Sequence, residues 1–342
     1  MLVTLILSSR ASAEFVFIVP QEPGGGTSVW ATVIAGELEK KLNERIAIRH
    51  IPGARDIIGF EKFHKELRFD DNAIMVSHGG NAVSFLQEKV TYDYSAYDPI
   101  AIMNNNIIVS RLNNFDWKKD KIIFPERSGG VPESMGLALL VGGPHAWDNW
   151  EQRVVYVKGM ETPDCRLAFR RGEINVTREN PAAYKKYVEQ IENAVIFFHH
   201  GLFDPETKKF KQDPNFKDSP TLEELYSQTW GEASSGALYD AYKMVKAWRD
   251  GIQKALWVNK GNPNRDRLRK AVSEMLADPE SLANIQEKLG TYPWLVGEDA
   301  KTFVDSLYPL VTEPALRTLV QFNKEALDLD SYYNEQRVFD QQ

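Results

Sequence analysis

The residues with the clearest chemical use are glycines followed by hydroxyls. Pro23-Gly24-Gly25-Gly26 runs directly into Thr27 and Ser28. Glycines let backbone N–H groups approach a ligand closely, and a helix start carries partial positive charge. A strand, a glycine loop and a helix N-terminus together therefore favour anions. A second such run is Ser128-Gly129-Gly130-Val131-Pro132-Glu133-Ser134, and Ser77-His78-Gly79-Gly80 is a third loop at a strand end. The triple glycine lacks the Gly-x-Gly-x-x-Gly spacing of a dinucleotide fingerprint, since position 29 is Val29, and Asp56 lies beyond the strand that an acidic ribose partner would close. A phosphate loop, a Gly-x-Ser-x-Gly elbow and a His-Glu-x-x-His helix are all missing. The histidines are scattered, with His199-His200 the one adjacent pair, read as a strand end facing a loop. The single cysteine, Cys165, excludes internal disulfides and any zinc site that needs two thiolates. The expectation is a binding protein with no catalytic residue, metal or cofactor.

These loops need strands before them and helices after them. Phe15–Val19 is a continuous apolar run of strand length, and Trp30, Val33, Ile34, Leu38 and Leu42 recur at helical spacing. Strand, loop and helix then repeat through 46–50, 57–67, 73–77 and 81–87, and again from Ile122 onward. Alternation of this kind predicts mostly parallel sheets flanked by helices. The stretch 201–219 is polar and turn-rich and reads as an insertion or flap. The segment 237–252 is an amphipathic helix, read as a modifier of the cleft mouth, a partner contact or a solvated decoration. After the strand 255–258 the chain is helical to about Leu327.

The length of 342 residues asks for two domains. Hydrophobic residues at 43% and charged residues at 26% describe an ordinary globular chain and exclude a disordered or multi-spanning one. Lys+Arg 41 against Asp+Glu 48 leaves a net charge of −7 with no basic stripe, so a nucleic-acid partner is not expected. Residues 1–13 combine the apolar run Leu2–Leu7 with the small-x-small pattern Ala11-Ser12-Ala13, and read as the end of a secretory signal. The run is too short to span a bilayer, which needs about 20 residues. The alternative for it is a buried N-terminal strand.

Several segments, taken in order, resemble one family. Val19-Pro20-Gln21-Glu22-Pro23-Gly24-Gly25-Gly26-Thr27-Ser28 resembles the Val-Pro-Phe-Pro-Pro-Gly-Gly-Ser-Thr-Asp loop of the substrate-binding proteins of tripartite tricarboxylate transporters, the Bug or TctC type. Pro52-Gly53-Ala54 with Gly59, the Tyr92–Ile100 region, Val155–Gly159, Gly172–Val176, Ser219–Glu224 and the helices 268–290 resemble further segments of that family. The resemblance implies a two-lobed, type II periplasmic-binding-protein-like α/β fold with crossing strands as its hinge. Lobe one would comprise 14–115 and 253–342, and lobe two 116–252. It implies a monomeric periplasmic receptor that captures a small di- or tricarboxylate between the lobes and delivers it to membrane subunits of that transporter type. Carried over by position, the ligand contacts would be Pro23, Gly24, Gly25, Thr27, Ser28 and Ser77 from lobe one. Lobe two would supply Ser128, Gly129, Gly130, Ser134 and Asn175.

The departures are chemical. The family's Phe-Pro is Gln21-Glu22, its loop Asp is Ser28, and its Gly-x-Val-Asp acid is Asn175. Glu22 joins the candidate contacts because a carboxylate there repels a second ligand carboxylate, or binds an amine or hydroxyl. Two other readings stay open: a receptor-like protein that has lost small-molecule binding and serves protein interaction, and an enzyme on the same scaffold using Glu22, His78 or Lys158.

Overall fold

The computed structural model describes residues 14–338 apart from 55, 127, 128 and 334. The expected signal remnant at 1–13 lies outside the described residues. The strands are β1 Phe15–Val19, β2 Ile46–His50, β3 Ala73–His78, β4 Tyr97–Met103, β5 Ile108–Leu112, β6 Ile122–Pro125 and β7 Val154–Val157, then β8 Val176–Glu179, β9 Ala194–His199, β10 Leu202–Asp204, β11 Lys209–Lys211, β12 Lys254–Asn259 and β13 Trp294–Val296. The first sheet has the order β13-β4-β12-β3-β1-β2. β1 pairs in parallel with β2 and β3, whereas β12 runs antiparallel to β3 and β4, and β13 antiparallel to β4.

The second lobe repeats this plan. β6 and β7 pair in parallel, and β5 lies antiparallel between β8 and β9. Asn175 joins the two groups: its N–H donates to the Ile123 carbonyl at 3.2 Å, and its side-chain oxygen accepts from the Ile123 N–H at 2.7 Å. β6–β7 and β8–β5–β9 pair as separate sheets, but with β6 lying beside β8 their succession β7-β6-β8-β5-β9 follows β2-β1-β3-β12-β4. In each lobe the antiparallel strand, β5 or β12, is the one the chain enters on crossing over. The sheets are therefore more mixed than the alternating sequence pattern implies, because strands recruited from a crossover run against their neighbours. The crossings, 104–107 and 250–253, lie side by side: Asn105 N–H donates to the Asp250 carbonyl at 3.0 Å, and Gly79 N–H to the Gln253 carbonyl at 3.1 Å.

The side-chain alternation of β1 divides the core, as strand geometry requires. Phe15, Phe17 and Val19 pack with helices Gly26–Leu42 and Arg265–Ala277, while Ile18 faces the opposite cluster. That second cluster is continuous from Met75 and Phe85 through Trp248 to Met135 and Phe124, so it reaches from one lobe into the other. Its centre is the helix Ala237–Gly251, which packs on helices Gly79–Gln87, Val131–Gly142 and Glu313–Ala326. This helix is no solvated decoration; Tyr242, Lys246, Trp248, Arg249 and Asp250 are all buried. The segment 201–219 folds into the β10–β11 hairpin and a short 3₁₀ turn, Pro214–Phe216. Cys165 is buried among Phe169, Ile174 and Val188.

Candidate functional site

The first glycine loop leaves β1 at Val19 and enters the helix Gly26–Leu42. Gly24 turns it with φ +83°, a value that favours glycine. The loop is braced internally. The Gln21 side chain accepts from the Thr27 N–H at 3.0 Å and donates to Asp56 at 3.0 Å. The Ser28 hydroxyl accepts from the Gly24 N–H at 3.2 Å and lies 2.8 Å from His50 Nε2. Thr27 and Ser28 are thus buried, while Glu22, Pro23 and Gly24 are exposed. The Thr27 hydroxyl accepts a 3.1 Å hydrogen bond from the ammonium of Lys254, the first residue of β12.

An acidic and a basic group stand behind Lys254. Asp56, itself in the left-handed region with φ +71°, pairs with His78 at 2.8 Å. The Gly80 N–H donates to His78 Nδ1 at 3.0 Å, which assigns the ring proton to Nε2, facing Asp56. Burial pushes the Asp56 carboxyl up, but the hydrogen bonds from His78 and Gln21 and the charge of Lys254 outweigh it and hold the pKa low. Burial also keeps His78 neutral, below the ordinary histidine range despite Asp56. Lys254 is pushed down to about 8 by burial, with Asp56 opposing the shift.

Lys254 forms part of the floor of a cleft of about 310 Å³ between the lobes. Gly26, Val29 and Trp30 come from the first helix, and Asn105 and Gln253 from the two crossings. Asn180, Lys186 and Tyr187 come from the loop and helix after β8, and Lys288 and Tyr292 from the C-terminal part of lobe one. Among the described residues no lining side chain is acidic. Tyr292 stands at the gap, near the Ala182 backbone and the Asn105 side chain, and burial pushes its pKa up to about 12.

The residues carried over by position fall into separate places. Of the first loop, the helix start at Gly26 borders the cleft, and Thr27 reaches it through Lys254. Ser77 is fully buried and accepts from the Trp257 indole at 2.7 Å. Ser128 lies outside the described residues. Gly129, with φ +72°, directs its carbonyl to Arg249 at 3.0 Å. Gly130 accepts the Ser134 N–H, and Ser134 is fully buried beneath Tyr156. Asn175 precedes β8, at the strand's amino end, and its amide is spent on Ile123 and on the Lys121 carbonyl. The cleft lies at the carboxyl end of β8, where Asn180 caps the next helix. Ligands in open α/β sheets bind at carboxyl ends, so the strand-end signal Asn180-Pro181 was legible and points to the cleft more directly than Asn175 does.

Behind the second glycine loop is a buried ion cluster. Glu133, in the first turn of Val131–Gly142, pairs with Arg249, with Arg178 at 3.2 Å and with His200 at 3.6 Å. Asp250 holds Arg249 at 2.8 Å and His200 Nδ1 at 3.0 Å. His199 ends β9 and faces Phe216 of the 201–219 segment, as expected, while His200 turns into the ion cluster; both are fully buried, and burial keeps both below the ordinary histidine range, His199 at about 4. Among the described residues no group of three or more His, Cys, Asp or Glu is placed to hold a metal ion. Among them also, no helix is long and apolar enough to cross a membrane.

The two matched sheets, the paired crossings and the cleft between them define the two-lobed periplasmic-binding-protein fold. No protein-family model and no curated protein matches the chain. Solved structures do. A TctC solute-binding protein from Polaromonas superposes with a TM-score of 0.60 at 15% identity, over 86% of this chain and 96% of that one. The periplasmic binding protein BugD gives 0.59 at 17% identity, over 91% and 97%. MatC from Rhodopseudomonas palustris, determined with bound malate, gives 0.56 at 17% identity, over 90% and 98%. The chain has the fold of these proteins.

Proposed function

We propose that the protein is an extracytoplasmic solute receptor that captures a small organic carboxylate in the interlobe cleft and hands it to a membrane transporter of the tripartite tricarboxylate type. The observation that carries this reading is the lining of the cleft, where Lys186, Lys254 and Lys288 converge from both lobes and, among the described residues, no acidic side chain takes part. Three cations around a partly apolar hollow select for an anion, and the helix start at Gly26 adds to the same field. In this reading lobe one is 14–103 with 254–338 and lobe two is 108–249, the first boundary falling before the expected 115 because β5 pairs with β8 and β9, and the protein is a periplasmic monomer. The lobes reorient about the crossings to trap the ligand, which creates the surface that a transporter reads. The malate in MatC supports a carboxylate as the ligand class. The protein binds and releases; no covalent step is assigned to it.

Native mass spectrometry of the purified protein, followed by a thermal-shift screen of organic acids, amines and sugars, tests the reading. Organic acids should raise the melting temperature and the other classes should not. A flat response across the acids, with or without shifts from sugars or amines, overturns it.

A further inference from the structure

The depth at which each cation sits constrains the ligand further. Lys186 and Lys288 are exposed at the rim, where ion pairs contribute little and charge acts mainly by attracting anions from a distance. Lys254 is the one lysine at the floor, tied to Thr27 beside Gln253. The other position suited to an anion, the start of helix Val131–Gly142, is filled by the chain's own carboxylate: Glu133 is fully buried and shared among Arg249, Arg178 and His200. Between floor and rim the walls are apolar, formed by Val29, Trp30, Met103, Tyr187 and Leu289. Trp30 stacks on Trp294 with centroids 5.8 Å apart, and its buried indole N–H has no partner. A second ligand carboxylate would have to lose its water against these walls with no buried cation to receive it, which is costly.

We infer that the cleft takes a monocarboxylate with an apolar, ring-sized body, its carboxylate at Lys254 and its body against Trp30 and Tyr187, with the Trp30 indole N–H donating to one further acceptor atom of the ligand. This rests on the solute-receptor reading and narrows it away from di- and tricarboxylates.

Calorimetric titration of the full chain with benzoate, 3-phenylpropionate, 4-hydroxybenzoate, succinate, adipate and citrate decides the matter. At least one aromatic monocarboxylate should bind ten-fold or more tighter than every di- or tricarboxylate. Trp30→Phe keeps a ring and removes the donor, so it should weaken 4-hydroxybenzoate several-fold more than it weakens benzoate, and an equal loss for the two would overturn the indole contact. Succinate, adipate or citrate binding as tightly as the best aromatic acid would overturn the inference and leave the receptor reading standing. Binding of no acid at all would overturn both.

Discussion

Arg249, in the last turn of helix Ala237–Gly251, is ion-paired to Glu133, in the first turn of helix Val131–Gly142, and neither side chain is more than 3% exposed. The pair joins the return crossing to the second glycine loop, because Arg249 also donates to the Gly129 carbonyl. Removing one partner leaves a buried charge uncompensated. Glu133→Ala should destabilise the fold by about 3–5 kcal/mol. Glu133→Ala with Arg249→Met should cost less than the sum of the two single changes. Urea denaturation of the three variants gives both values, and strict additivity would show that the pair does not act as a unit.

The pKa of Lys254 gives a pH dependence with a definite sign. Its folded value of about 8 lies below the ordinary 10.5. A bound carboxylate favours the charged ammonium, so affinity should be level below about pH 8. Above it, affinity should fall by up to about tenfold per pH unit, since binding must then take up a proton. For stability, the unfolded chain holds a proton between about pH 8 and 10.5 that the folded chain lacks. Lys254 therefore makes the fold more stable as pH rises through that window. Lys254→Met should remove both dependences, measured by titration calorimetry and by urea melts from pH 7 to 10.

Gly59 is tied to the first loop by space rather than by backbone angle. A Cβ there would lie 2.5 Å from the Ile51 carbonyl oxygen and 2.8 Å from Pro20 Cα. Both neighbours are backbone, Ile51 following β2 and Pro20 following β1. Gly59→Ala should cost about 1–3 kcal/mol through overpacking. It should also weaken ligand binding, because Pro20 begins the loop. A thermal melt unchanged from wild type would show that the loop can move aside.

Tyr292 faces the helix Pro181–Tyr187 of lobe two across the cleft that both line. Tyr292→Phe keeps the ring and removes the hydroxyl, and a neutral hydrogen bond lost across the gap costs about 0.5–1.5 kcal/mol. The variant should show a larger radius of gyration in small-angle scattering without ligand, and weaker ligand binding. An unchanged radius would show that the lobes are held by the shared core around Trp248 alone.

Much of the fold was legible because apolar runs and glycine loops alternate. β1, the Gly24–Gly26 turn and the helix after it follow from Phe15–Val19 and from the spacing of Trp30, Ile34 and Leu38. Other parts were hidden for physical reasons. Periodicity treats charges as a solvent face, yet Lys246, Arg249 and Asp250 point into an ion cluster, so a central helix read as a surface one. β13 is three half-buried residues between Pro293 and Gly297, too short for any period. The site was harder still. Lys254 and Gln253 look like an ordinary polar start to a strand, and only the antiparallel insertion of β12 beside β3 brings Lys254 opposite His78 and within reach of Thr27. Asn175 carried the family-like motif, but the direction of β8 puts it at the wrong end of its strand, and Asn180 takes the place at the cleft.

The central claim is that the cleft binds an organic acid through Lys254. It is tested most directly by titrating wild type and Lys254→Met with the acid that gives the largest thermal shift, at pH 7. The account predicts one saturable site in wild type and at least a hundred-fold loss in the variant, with both proteins folded by circular dichroism. Equal affinity in the two proteins would contradict it.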